Sequence, residues 1–500
     1  MTNLPTNLTE LQSDYAVFLP ALSTFYALFV GRQRRGLLEY SETLKGSGNP
    51  YIEPSRIPKG LQHGVESLNW LAPEGLWQYK WSLHSAGHAS LDLEKDQYRE
   101  DMYRVRNKET SWLLGDSGGY QIGKGVWEGD WKDPNCPMAQ KKRDGVLRWM
   151  DAYMDYGMIL DIPAWVARSP EGAKASGVST YEEAVAATNI NNEYWMKHRT
   201  GACKFLNVLQ GENFSQADDW YDQMKGYCDP VLYPDNHFNG WAMGGQYCAD
   251  IHLSLKRVCA MMRDGLLEQG KHDVMHFLGT SKLEWAMVLT AIQRGVRKAH
   301  NPNFTITFDC ASPFLAVSNG TQYSGYRLEH EGKWSYLMEP APDNRALHAD
   351  TTPYDDYCSP LYENWMPSPL SQIMKVNDVC TYSPTCKNKI GEISKTSWDS
   401  FSYMLLMNHS CYQHLRSVQE GNRVFDEGIY PWQLADNKFT ETLVKDVIAE
   451  IFTLDSYDAQ IKMIDQYEKL WMRVTGTRGY VGKKTVNSST QFFSLFEEVG

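Results

Sequence analysis

Three aspartates and one glutamine stand where short apolar runs of the sequence end. Asp116 follows "WLLG", Asp161 follows "GMIL", Gln210 follows "FLNVL" and Asp309 follows "TITF". Two carboxylates facing each other across a sugar can cut a glycosidic bond, because one attacks the anomeric carbon while the other handles the leaving group's proton. Carboxylates also accept hydrogen bonds from the N1–H and 2-amino groups of a guanine-like base. These residue types favour chemistry on a nucleobase joined to a sugar.

The segment "DSGGYQ" after the first of these runs has the composition of a ligand-binding loop. Two glycines stand between Ser117 and Tyr120. Glycine lacks a Cβ, so a ligand can approach the backbone closely there. The ring of Tyr120 offers a face on which a flat base can stack. The segment therefore predicts a cradle for a planar ligand beside Asp116.

The spacing of the apolar runs indicates which elements position these residues. Two further runs end at Gly244–Gly245 and at Gly279, and successive run ends lie about 30 to 50 residues apart. That spacing is typical of βα units in a parallel sheet. In a (β/α)8 barrel the C-terminal strand ends form the active site, so we expect the run ends to share one rim. The alternative for each single run is a plain strand terminator, since Gly and Asp favour turns.

The segments between the runs can hold helices. In the clearest, "KLEWAMVLTAIQRGVRKA", the apolar residues fall on one helical face; they are Leu283, Ala286, Leu289, Ile292 and Val296. The segment "SFSYMLLMNHSCYQHLRSVQ" and most of the last eighty residues also have a helical pattern. The predicted fold class is therefore α/β, a (β/α)8 TIM barrel with helical additions.

Composition and charge limit the classes of function. The chain has 500 residues, 42% of them hydrophobic, and a formal net charge of −12. This charge argues against nucleic-acid binding by the whole surface, although a local basic groove is compatible with it. The N-terminus lacks the pattern of a signal peptide, and the apolar run around Pro20 is too broken for a membrane span. Ten scattered cysteines predict reduced thiols or metal ligands, so we expect a cytoplasmic protein with no membrane partner.

Six motifs resemble, in order, those of the tRNA-guanine transglycosylase family over roughly residues 110–415. The motifs of this chain are "DSGGYQ", "MILD", "NVLQG", "WAMGGQYCAD", "HFLGTS" and "FDCASP". The resemblance implies exchange of a guanine for a free 7-deazaguanine base without strand cleavage. It also implies a covalent glycosyl–enzyme intermediate, retained configuration and no need for ATP. Family members are often homodimers, so a homodimer is a further expectation.

The resemblance also assigns roles to residues of this chain. Asp309 corresponds to the nucleophile that attacks C1′, and Asp116 to the general acid/base beside the exchanged base. The remaining positions correspond to the base-binding group, with Tyr120 and Leu278 on the two faces of the base; they are Asp161, Gln210, Gly244, Gly245, Ser117, Tyr120, Leu278 and Asp250.

One departure from the family bears on the polymer that carries the target guanine. After the nucleophile the family reads "PTRNARNG", whereas this chain reads "PFLAVSNG", with Leu315 and Ser318 in place of both arginines. Leucine cannot grip a phosphate or a base edge as arginine does. This departure looks more like the DNA-modifying branch, the DpdA-type 7-deazaguanine DNA transglycosylases of genomic islands and phages. The predicted partner is therefore DNA, in the host cytoplasm if the protein is phage-encoded.

Other interpretations remain open from the sequence. The enzyme could act on tRNA and contact that substrate differently from the resembling family. A non-catalytic nucleic-acid-binding subunit is disfavoured because all three aspartates are present, and "DSGGYQ" speaks against an unrelated glycosidase. The basic segment around Arg294, Arg297, Lys298 and His300 is either a replacement phosphate grip or a solvated helix end, where cations suit the helix dipole.

The second departure concerns a metal site. The family has C-x-C-x2-C followed by a histidine, whereas "CTYSPTCKN" retains only Cys380 and Cys386, and His409 falls in the family's histidine position. A structural zinc needs four ligands, so Cys358 or Cys411 is the candidate for the fourth. The alternative is a packed subdomain with buried thiols.

These features divide the chain into three predicted parts. Residues 1–335 form the catalytic barrel core, and residues 336–420 form an inserted zinc-type subdomain. Residues 421–500 form a helical C-terminal region that ends in the basic stretch "TGTRGYVGKKTVNSST".

Overall fold

A computed structural model describes residues 4–31, 52, 54–94, 100–381, 396–436 and 442–476 of the chain. Eight short parallel strands form its central sheet. They are β1 (Val17–Pro20), β2 (Trp81–Ser85), β3 (Trp112–Asp116), β4 (Tyr156–Met158), β5 (Lys204–Leu209), β6 (Gly240–Met243), β7 (Val274–Phe277) and β8 (Thr305–Cys310).

The central sheet curls into a nearly closed barrel. Its strands are ordered β1-β8-β7-β6-β5-β4-β3-β2, so the two edge strands are β1 and β2. These edges approach each other where the backbone N–H of Leu22 donates to the carbonyl of Leu83 at 2.9 Å. The predicted α/β barrel is confirmed at this level.

The six apolar runs of the sequence form β3 to β8. The strands β1 and β2 were missed, because the apolar run of β1 ends in proline and not in a polar residue or glycine, and β2 has no unbroken apolar run. Strand β1 ends in Pro20. Proline cannot donate a backbone hydrogen bond, and an edge strand such as β1 tolerates it. Strand β2, "WSLHS", alternates apolar with polar residues, and Ser82 and His84 are buried despite their polarity.

Helices surround the barrel. The described helices are α1 (Thr24–Phe29), α2 (Gly119–Gly123), α3 (Pro137–Tyr153), α4 (Pro170–Ser176), α5 (Tyr181–His198), α6 (Phe214–Met224), α7 (Ile251–Arg263), α8 (Leu283–Ala299), α9 (Ser312–Ser318), α10 (Tyr354–Cys358), α11 (Val376–Val379), α12 (Ser400–Asp426), α13 (Val444–Ile451), α14 (Tyr457–Gln466) and α15 (Glu468–Gly476). The predicted helix from Leu283 is confirmed as α8. It is buried on almost every side because α12 and α13 pack on it from outside the barrel.

A second, antiparallel sheet consists of β9 (Thr321–Arg327) and β10 (Ser335–Pro340), and α12 packs against it. This arrangement bears on the predicted domain boundaries. The boundary after residue 335 falls at the start of β10, and the boundary after residue 420 falls inside α12. A continuous 27-residue helix therefore joins the predicted insertion to the predicted C-terminal region. The basic stretch from residue 477 onward lies outside the described residues.

No helix in the described ranges is long and apolar enough to cross a lipid bilayer. The nine cysteines in those ranges are all buried and carry free thiols.

Candidate functional site

A cleft lies at the C-terminal ends of the barrel strands, the position at which (β/α)8 enzymes carry their active sites. It encloses a cavity of about 100 Å³. The residues that line it are Leu83, Asp116, Gly119, Tyr120, Met158, Asp161, Pro163, Trp165, Gln210, Gly244, Gly245, Leu278, Gly279 and Asp309. The fold thus brings three carboxylates and one amide from four different strand ends into one cleft.

Asp116 is the last residue of β3, and Ser85 is its register partner at the end of β2. The Ser85 hydroxyl donates a hydrogen bond of 2.6 Å to Asp116 Oδ2, and the backbone N–H of Gly118 lies 3.4 Å from Oδ1. Burial raises the pKa of Asp116, the hydrogen bond from Ser85 lowers it, and the negative charge of Asp309 raises it further. The net direction is upward, so this carboxyl keeps a proton to a higher pH than an ordinary aspartate.

Asp309 stands near the end of β8, with its side chain 15% exposed. Its Oδ1 accepts a hydrogen bond of 2.8 Å from the backbone N–H of Gly279. The imidazole Nε2 of His276 lies 3.1 Å from the same oxygen. A carboxylate held at one oxygen has restricted rotation, which suits a group that must attack along a fixed direction.

Asp161 and Gln210 form a buried acid–amide pair. Gln210 Nε2 donates a hydrogen bond of 2.8 Å to Asp161 Oδ2, and the two residues are 5% and 6% exposed. Burial raises the pKa of Asp161 to about 7, although the Gln210 hydrogen bond lowers it and the charge of Asp116 adds to the rise. Near neutral pH this carboxyl can therefore either donate or accept a hydrogen bond. The pair presents polar groups suited to the edge of a nucleobase.

The glycines of the cleft are required by close packing around this pair. A Cβ on Gly244 would lie 2.7 Å from Gln210 Nε2, and a Cβ on Gly119 would lie 2.6 Å from the carbonyl oxygen of Asp161. Gly245 adopts a φ of +52°, a conformation that glycine tolerates best. The double glycine after β6 thus lets the backbone come directly against the acid–amide pair.

Two apolar faces complete the cleft. Tyr120, in α2, and Leu278, after β7, both line it, and their positions on the two faces of a base stay a prediction. Trp165 also lines the cleft, and its ring centroid lies 5.8 Å from that of Tyr120. A planar ligand between these groups would bury its faces against carbon while its edges meet Asp161 and Gln210.

Two predicted base-binding residues are not among those that line the cleft. Ser117 is 1% exposed and lies beneath the surface of the loop. Asp250 caps α7, because its Oδ1 accepts a hydrogen bond of 3.2 Å from the backbone N–H of Leu253. Burial raises the pKa of Asp250. The capping contact alone explains why an acid stands at position 250. A role of Asp250 in binding a base therefore stays a prediction.

The predicted zinc ligands do not come together in the described part of the chain. His409 has both ring nitrogens in hydrogen bonds, to the Ser368 hydroxyl and the Tyr323 carbonyl, each at 2.8 Å. The Cys380 thiol donates to a backbone carbonyl at 3.3 Å, and Cys358 and Cys411 are buried. Cys386 lies outside the described residues. Within those residues no group of three ligating side chains lies together, and the zinc site stays a prediction.

The basic end of α8 is not a phosphate grip for the cleft, so that hypothesis was wrong. Helix α8 starts after β7 and runs back along the barrel, which places its last turn at the end opposite the cleft. Arg294 there forms ion pairs of 2.7 Å with Asp14 and with Asp426. Arg297 donates to the carbonyl of Phe304 at 2.6 Å. Arg294 thereby joins the N-terminal segment and α12 to the barrel.

Ser85, His276 and Trp165 are among the contributors to the cleft that were missed from the sequence. Ser85 belongs to β2, where the alternation of apolar and polar residues was the available signal. His276 lies inside the run "MHFLG", where a polar residue within an apolar strand was the available signal. Trp165 follows Asp161 by four residues and resembled the many tryptophans that pack in the core.

The chain was compared with known proteins as well. No family model matches it, and no curated protein is significantly similar to it.

Proposed function

We propose that this protein is a transglycosylase that exchanges guanine in DNA for a free 7-deazaguanine base through a covalent aspartyl–glycosyl intermediate. The observation that carries the proposal is the shared cleft of Asp309, Asp116 and the Asp161–Gln210 pair between two apolar faces. The order of the motifs supports the same chemistry.

In the first half of the proposed reaction, an oxygen of Asp309 bonds to C1′ while the bond from C1′ to N9 of guanine breaks. The electron pair of that bond leaves with the guanine, and Asp116 donates the proton that neutralises it. Burial raises the pKa of Asp116, and this direction favours a general acid, which must hold its proton until the leaving group departs.

In the second half, the replacement base binds in the same cleft and loses a proton to Asp116. Its N9 attacks C1′, and the bond from C1′ to Asp309 breaks, which returns both carboxyls to their starting states. Two displacements at C1′ retain the configuration of the sugar. Asp161 and Gln210 hold the edge of each base in turn, and neither needs a metal for that task.

DNA is proposed as the polymer because of the segment that follows the nucleophile. Leu315 and Ser318 stand in α9, directly after β8, where the resembling family has arginines. Ser318 is exposed and Leu315 is partly exposed, so both positions are accessible from outside. A guanine within duplex DNA would have to leave the base stack to reach the cleft.

The test is incorporation of a labelled 7-deazaguanine by the purified protein, with DNA and tRNA offered in parallel. We expect label in DNA. Label only in tRNA would assign the protein to the alternative tRNA reaction, and label in neither would support the non-catalytic subunit. Asp309→Ala and Asp116→Ala should abolish incorporation while circular dichroism stays unchanged. Full activity of Asp309→Ala would refute the mechanism.

A further inference from the structure

One buried polar contact behind the cleft is not used by the reaction as described above. His276, in β7, is the register partner of Thr307 in β8, two residues before Asp309. The imidazole Nδ1 lies 2.9 Å from the Thr307 hydroxyl, and Nε2 lies 3.1 Å from Asp309 Oδ1. His276 is 0% and Thr307 2% exposed. Three side chains thus form a chain of hydrogen bonds that ends on the proposed nucleophile.

The direction of these hydrogen bonds follows from the chemistry of the groups. An ionised Asp309 can only accept, so Nε2 must carry the hydrogen and donate it. In the neutral imidazole Nδ1 is then an acceptor, and the Thr307 hydroxyl must donate to it. Asp309 thereby selects the tautomer, and the Thr307 hydroxyl satisfies the other ring nitrogen of His276.

The two donors to Asp309 meet the same oxygen. His276 Nε2 and the backbone N–H of Gly279 both reach Oδ1, and no hydrogen bond to Oδ2 occurs among the described residues. Oδ2 therefore keeps its lone pairs for attack, while Oδ1 is fixed. Donors on Oδ1 also stabilise the carboxylate as a leaving group when the ester intermediate breaks.

We infer that His276 is the positioning residue of the nucleophile, and that Thr307 holds the imidazole ring in the orientation that reaches Asp309. This inference rests on the proposed function, because it needs Asp309 to attack C1′. The competing explanation is a histidine that only fills the barrel interior, with its two nitrogens satisfied at no catalytic benefit.

A matched pair of variants separates the two explanations. The side-chain nitrogen of Gln reaches the position of Nε2, so His276→Gln keeps the donor to Asp309. The nitrogen of Asn reaches the position of Nδ1, so His276→Asn keeps only the contact with Thr307. We expect the rate constant for forming the covalent DNA adduct to fall on the order of 10- to 100-fold in the Asn variant. In the Gln variant it should fall no more than a few-fold, with KM for the free base unchanged in both.

Thr307→Val tests the hydrogen bond to Nδ1 of His276 separately, because valine keeps the shape and removes the hydroxyl. We expect a fall in adduct formation that Thr307→Ser restores. The matched control is Thr290→Val, a buried threonine of α8 whose hydroxyl accepts the N–H of Ala16 at 3.0 Å, away from the cleft. This control should leave the rate constant unchanged even if the melting temperature falls.

The outcomes distinguish this inference from the proposed function. If the wild-type protein transfers label to neither polymer, the proposed function fails. If the wild type is active but the Asn and Gln variants lose activity equally or not at all, the positioning role is refuted while the proposed function stands. An Asn variant that is more active than the Gln variant would also refute the positioning role of His276.

Discussion

The substitution Asp161→Asn tests the electrostatics of the cleft, because the two side chains are nearly the same shape and differ in charge. Burial raises the pKa of Asp161 from 3.8 to about 7. Each pKa unit corresponds to about 1.4 kcal/mol, so ionised Asp161 costs the folded state about 4 kcal/mol relative to the unfolded chain. The Asn variant carries no charge and avoids that cost. It also keeps an oxygen that can accept the Gln210 hydrogen bond.

The sign of the pH dependence follows from where the proton is held. Between about pH 4 and about pH 7 the folded protein keeps a proton that the unfolded chain releases. The contribution of Asp161 to stability is therefore fully present below about pH 4 and is lost as the pH rises through about 7. We expect the Asn variant to exceed the wild type by up to about 4 kcal/mol at about pH 8.5, with the difference shrinking steadily as the pH falls to about 4. Urea unfolding followed by tryptophan fluorescence measures this difference.

Asp14→Asn is the control of opposite sign. The ion pair with Arg294 lowers the pKa of Asp14, so removing this carboxylate should destabilise the protein at neutral pH. That loss should diminish as the pH falls below the ordinary aspartate range. The reasoning about the cleft is refuted if Asp161→Asn is no more stable than the wild type at about pH 8.5, or if the difference is the same at every pH.

Three further outcomes are expected. Ser85→Ala removes the hydrogen bond that lowers the pKa of Asp116. The limb of the pH–rate profile that reports this acid should therefore move to higher pH. A limb that does not move would contradict the assignment of Asp116 as the general acid. Gly244→Ala places a Cβ 2.7 Å from Gln210 Nε2, so KM for the free base should rise on the order of tenfold or more. An unchanged KM would show that the Asp161–Gln210 pair does not bind the base. Elemental analysis of purified protein tests the predicted zinc, and much less than about one zinc per chain would remove it.

Much of the cleft follows from local sequence. Six of the eight barrel strands could be predicted because each is an apolar run closed by a polar residue or glycine, as in "WLLGD" and "TITFDC". The parallel arrangement of such runs places their C-terminal ends on one rim, and Asp116, Asp161, Gln210 and Asp309 do line one cleft. Strand β2 was not predicted from the sequence because its interior contains serine and histidine, whose burial depends on partners elsewhere in the fold.

Other features were beyond the sequence because they depend on direction in space. The basic residues around Arg294 follow the "MHFLG" strand, yet α8 carries them away from its C-terminal end to the other side of the barrel. There Arg294 pairs with Asp14 and Asp426, residues remote from it in the chain. A predicted zinc ligand, His409, has both nitrogens in other hydrogen bonds, which no cysteine spacing could reveal.

The sequence by itself determined the kinds of groups in the cleft and the strand ends that carry them, because strand patterns and turn residues are local properties. Only the tertiary structure decided how those groups pair. The Ser85–Asp116, Gln210–Asp161 and His276–Asp309 hydrogen bonds each join different strands of the barrel. Such contacts depend on strand register and barrel closure, and they bear on the pKa of Asp116 and of Asp161 and on which oxygen of Asp309 accepts hydrogen bonds.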